Sequence, residues 1–131
     1  MEILPMLHSL VRWVIIVVAL IAIIKFTISW AGTGAFKGMD RGLASGFSGL
    51  MDLQVLLGLV YFIWNGIAVT GFPLYRIEHM ITMIIATGLS HVSARLKNLN
   101  DKLRFQYSLF IILGTLVLVF IGISFLPANA R

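Results

Sequence analysis

Between Leu10 and Ile24 the only charged residue is Arg12, and apolar runs of that kind recur three more times along the 131 residues. A bilayer span takes about 20 largely apolar residues. Stretches of that length lie at about 8–30, 48–70, 77–94 and 105–126. With 60% hydrophobic and 11% charged residues, the chain has too little polar surface to cover a water-soluble globule. The expected fold is all-α: one domain, an integral membrane bundle of four helices in up-down-up-down order. The first apolar run is too long for a signal peptide's core, and Glu2 precedes it instead of basic residues. It is read as a retained span.

The absence of cysteine removes disulfides, thiolate metal sites, iron–sulfur clusters and covalent haem attachment together. The formal net charge of +5 does not point to nucleic acid, because the basic residues gather at helix ends. They suggest an orientation instead. Lys37 and Arg41 follow the first span, and Arg95, Lys97, Lys102 and Arg104 follow the third; the opposite side holds Arg76 and Arg131. In a bacterial inner membrane the positive-inside rule then places both termini outside.

Glycines 32, 34, 38, 42 and 46 predict a flexible inner connection over 31–47. Gly71-Phe72-Pro73 predicts a tight outer turn, Asn98–Lys102 the last inner turn, and Pro127 the end of the fourth helix. With connections this short, consecutive helices are antiparallel neighbours and the first lies diagonally across from the third. No internal repeat or second domain is visible.

Polar residues within lipid-spanning segments are expensive, so their positions carry the most information. His8 begins the first helix and His79 the third, both on the outer side. Two imidazoles at one level on opposed helices can ligate a haem iron from both sides. Arg12 lies one turn after His8 on nearly the same face and suits a haem propionate, with Arg76 as a second candidate. Met83 and Ala86 follow the face of His79, and Trp13, Tyr61 and Trp64 are candidates to line the slot. The competing reading makes Trp13, Trp64 and Tyr75 an interfacial belt and the two histidines mere interfacial residues.

His91 stands twelve residues beyond His79, about 18 Å along the helix, and belongs to another layer. Asp52 and Lys25 are expected at its depth. The three then form an inner charge cluster: a quinone- or proton-handling site, a second haem with His91 as one ligand, or, more simply, charge pairing. Gln54, Gly58, Tyr61 and Asn65 share one stripe of the second helix. That stripe suits helix packing, and Asn65, near the outer level, can also hydrogen-bond a ligand. Neither a phosphate-binding glycine motif nor HExxH is present, and the spans are too continuous for a typical transporter.

The segments His8-Ser9-Leu10-Val11-Arg12-Trp13, Leu53 to Phe62 (LQVLLGLVYF) and Glu78-His79-Met80-Ile81-Thr82-Met83 resemble small four-helix membrane proteins labelled cytochrome b, common in Bacteroidota. The resemblance spans the first three helices. It implies a b-haem electron carrier with His8 and His79 at the matching positions. The reading that follows is a membrane protein binding one haem b and exchanging electrons with quinone or a partner redox subunit, or acting as a homo-oligomer, in the lipid bilayer. Two alternatives stand beside it: a cofactor-free structural subunit, and an outer metal site of His8, His79 and Glu78.

Overall fold

A computed structural model describes residues 3–130, so Glu2 and Arg131 lie outside the described residues. The described chain is helical: α1 (Ile3–Ala31), α2 (Gly38–Asn65), a single wide π turn (Gly66–Thr70), α3 (Leu74–Ser90), a 3-10 turn (His91–Arg95), α4 (Asp101–Ser124) and a last 3-10 turn (Ala128–Ala130). Each helix packs on its neighbours in sequence, and α4 packs back on α1. Three helical segments, Ile3–Ala31, Gly38–Thr70 and Asp101–Ser124, are long and apolar enough to cross a membrane. α3 is shifted against the expected third span, starting three residues earlier and ending four earlier. α3 has 17 residues, about 25 Å of rise, because the polar run from Ser90 to Ser93 tightens into a 3-10 turn where the span was expected to continue to about residue 94.

The second helix also departs from expectation, since it starts at Gly38 and not near 48. Most of the segment expected to be a flexible glycine-rich connection is therefore helical. Asp40 supplies the reason. Its Oδ2 accepts the main-chain N–H of Lys37 at 2.9 Å, satisfying one of the unpaired donors of a helix start, while its Oδ1 accepts Lys25 Nζ at 2.8 Å. Asp40, Ala44, Phe47, Ser48 and Met51 then form a buried stripe at helical spacing. Burial of that stripe outweighs the helix penalty of about 1 kcal/mol that each glycine carries.

The core concentrates toward the Lys25–Asp40 end. Ala19, Ala22 and Phe26 of α1, Phe47 and Met51 of α2, and Phe105, Leu109 and Ile112 of α4 are buried there. The Phe105 ring lies 6.0 Å from Phe26 and 5.0 Å from Phe36. Alanines at 19, 22, 44 and 86 let the backbones approach closely, as small residues do between membrane helices. Buried hydroxyls turn back onto their own helices: Thr115 donates to the Ile111 carbonyl at 2.8 Å and Ser90 to that of Thr87 at 2.6 Å. The outward surface is almost continuously apolar, with Leu20, Ile24, Leu56, Ile63 and Phe120 all exposed.

The turns follow the local chemistry. Gly71, at φ 68°, opens the Gly71–Pro73 turn, and Pro73 precedes the first residue of α3. Asn100 caps α4 through its Oδ1, which accepts Leu103 N–H at 2.9 Å. α4 stops at Ser124, two residues before Leu126, whose helical conformation Pro127 disfavours.

Candidate functional site

At the other end of the molecule His8 and His79 lie at a similar level, each against a glycine of a different helix. His8 lies in the second turn of α1 and presents its imidazole to Gly58 of α2; a Cβ at Gly58 would stand 3.3 Å from Nε2 and 3.4 Å from Cδ2. The same Cβ would lie 3.9 Å from Met80 Cε, so α3 reaches the same level. Gln54 fastens α2 to α1 there, its Nε2 donating to the His8 carbonyl at 2.8 Å. Arg12 follows His8 by one turn of α1, and His79 directly precedes the Met80 that reaches the Gly58 level. A methyl at Gly58 would press on the imidazole, and a larger side chain would need the room it occupies.

His79 turns toward α4. Its Nδ1 lies 2.8 Å from the main-chain carbonyl oxygen of Gly122. A carbonyl only accepts, so Nδ1 carries the hydrogen, and in the neutral ring Nε2 is left with the lone pair. Gly122 sits in the final turn of α4, where carbonyls run out of donors within the helix. It also packs tightly: a Cβ there would meet Met83 Cε at 2.7 Å and Thr82 Cγ2 at 3.3 Å. Met83 therefore faces α4, on the side where His79 makes its hydrogen bond, with Ala86 fully buried one turn on.

Neither arginine of the layer is paired with a carboxylate among the described residues. The Arg12 guanidinium contacts Ser9 Oγ at 3.4 Å and lies 5.5 Å from the Trp13 ring. That of Arg76 lies 5.8 Å from the Tyr61 ring. Asn65 is engaged within its own segment: Nδ2 donates to Tyr61 Oη at 2.7 Å, and Oδ1 accepts Thr70 Oγ1 at 3.2 Å. Gln54 Oε1 is buried without a hydrogen-bond partner among the described residues. As an acceptor it does not match a propionate, which leaves that role to the arginines. Trp13 and Trp64 are both exposed, but Trp13 lies five residues to one side of the His8–Gly58 level and Trp64 six residues to the other, so they do not share one belt.

The inner cluster divides into two pairs at different depths, which corrects the expectation of one group. Lys25 bonds Asp40, a residue sequence reasoning did not single out, and not Asp52; Lys25 is 33% exposed and Asp40 1%. His91 Nε2 and Asp52 Oδ1 pair separately at 2.7 Å, with side chains 49% and 53% exposed. Asp52 stands twelve residues beyond Asp40, about 18 Å along α2. The signal for Asp40 was present, since it opens the apolar period of 44, 47 and 51, but the surrounding glycines hid it. The outer metal site of His8, His79 and Glu78 is not formed: among the described residues no three potential metal-binding side chains come together. Of the two apolar grooves described, one is lined by Val60, Ile63, Trp64, Ile67 and Ala68, the other by Leu89, Val92, Leu96, Leu99, Tyr107, Phe110 and Ile111; neither touches a histidine.

No family model, curated protein or solved structure matches this chain. The likeness to the small cytochrome b proteins rests on the three quoted segments alone.

Proposed function

We propose that the chain is an integral membrane protein, an up-down-up-down bundle with both termini outside a bacterial inner membrane, that binds one haem b between His8 and His79 and carries electrons. The observation that supports this most is the His79–Gly122 hydrogen bond. Histidines that ligate metals commonly donate their other ring N–H to a carbonyl, which fixes the tautomer and orients the ligating nitrogen. His79 has that arrangement before any ligand is considered, at the level of a second imidazole.

The rest of the layer suits the group. His8 supplies the second nitrogen base, and Arg12 and Arg76 supply cations for propionates. Met80 is an unbranched side chain of the kind that repacks around a flat ligand. Bound haem would supply one-electron transfer; the residues of this chain bind it, orient it and exclude water from it. The electron partners in this reading are quinone in the lipid or a membrane redox subunit. A second haem is not proposed, because the chain has three histidines and His8 and His79 are already used, which leaves His91 without a second imidazole.

The test is an absorbance spectrum of the protein purified from a haem-replete host, before and after dithionite. A shifted Soret band with a sharp α band is the expected result. Their absence overturns the proposal and leaves a cofactor-free helix-packing subunit as the reading.

A further inference from the structure

The third helix stops short. Its inner end gives way to a 3-10 turn and then to the irregular stretch Leu96–Asn100, whereas α1, α2 and α4 continue inward. On α1 the exposed side chains Ile21, Ile24 and Ile28 surround Lys25 in sequence, so the level of the Lys25–Asp40 pair still carries a lipid-facing surface. Asp52 lies about 18 Å outward of that level on α2. In an apolar layer of about 30 Å, it stands deep within the layer, and His91 meets it there at 2.7 Å.

The pair is nevertheless about half exposed. Ionisable side chains at such depth face a bundle interior or water, not lipid. The connection Leu96–Asn100 leads from below this pair to the start of α4, with a turn hydrogen bond from Leu99 N–H to the Leu96 carbonyl at 3.2 Å and with Lys97, Asn98 and Asn100 exposed along it. One arrangement accounts for the exposed pair.

We infer that water enters beneath the inner end of α3, forming a vestibule that opens on the side of the basic connections and ends at the Asp52–His91 pair. The ligand of this site is water, and the pair gains access to the protons of one aqueous phase from deep within the membrane. Arg95 and Lys97, on the segment that borders the opening, keep it polar. The inference rests on the chain being embedded in a membrane, and it does not depend on haem.

The chain contains no cysteine, so single introduced thiols report on water without background. Thiolates react only where water allows them to form. In sealed vesicles carrying the full chain, a membrane-impermeant maleimide should label Asp52→Cys and His91→Cys at least about tenfold faster than Leu56→Cys, since lipid excludes the thiolate. Leu56 lies one turn outward on the same face of α2 and is 57% exposed. Labelling should come from the side opposite to that which labels Thr70→Cys in the outer turn. His91→Cys covers the case in which the Asp52 variant fails to fold. Protection of both thiols, reaction from the Thr70 side, or equal reaction of Leu56→Cys overturns the vestibule. Val17→Cys, 54% exposed on α1 and about 12 Å outward of Lys25, tests the premise separately: rapid labelling there would remove membrane embedding itself, and the vestibule with it.

Discussion

His79 donates from Nδ1 to the main-chain carbonyl of Gly122 at 2.8 Å, joining the start of α3 to the last turn of α4. The hydrogen bond selects one tautomer, leaving Nε2 as the basic nitrogen. Nitrogen-15 spectra of histidine-labelled protein without haem should therefore show one ring protonated at Nδ1 that loses this signature in His79→Gln. A wild-type spectrum with only Nε2–H tautomers would contradict the structure directly.

Replacing either His8 or His79 with Ala should abolish the reduced α band, because each removes one of two axial bases. His91→Ala should leave the band intact, since that imidazole belongs to the Asp52 pair. Haem content per protein, measured by pyridine haemochrome, decides both. Undiminished haem in either single variant of the first pair would show that the ligands are misassigned.

At Gly58 the test is steric. An alanine Cβ would stand 3.3 Å from His8 Nε2, close enough to require a shift of a few tenths of an ångström. Leucine has no such accommodation. Gly58→Leu should displace the imidazole and destabilise the fold by about 1–3 kcal/mol, the usual cost of overpacking, with Gly58→Ala well below that range. Unfolding in detergent titrated with a denaturing surfactant measures the difference.

Breaking the Lys25–Asp40 pair should be costly. Asp40 is almost completely buried, caps α2 and binds a lysine of α1. Asp40→Ala should lower stability by about 3 kcal/mol, since it strands a cation and removes a cap; partial exposure of Lys25 keeps the effect near the low end. The double variant Lys25→Met with Asp40→Leu should recover much of that loss. No recovery would mean that capping of α2, and not charge pairing, is the contribution that matters.

Asn100→Ala should cost about 1 kcal/mol by removing the hydrogen bond to Leu103 N–H. A loss near zero would show that α4 starts independently of its cap.

How much of this was legible in the sequence varies from residue to residue. The apolar periods placed α1 and α4 within a few residues, and Gly71-Phe72-Pro73 marked its turn, because those signals are local and strong. The layer shared by His8 and His79 followed from helix direction and counting. By contrast, the glycines over 32–46 suggested a loose connection, and the helix that begins at Gly38 depends on Asp40 finding Lys25 across the chain. The inner end of α3 was equally hidden, since a polar segment such as Ser90–Ser93 can either extend a helix or tighten it.

The sequence alone determined that this chain buries itself in helices with an apolar exterior, because hydropathy and the period of 3.6 are properties of consecutive residues. Only the tertiary structure decided the partners: Gly122 for His79, Gly58 for His8, Asp40 for Lys25, and Asp52 for His91. Each of these pairs joins residues on different helices, and which atoms meet depends on rotation and offset between helices, which packing of small residues sets and no local pattern encodes.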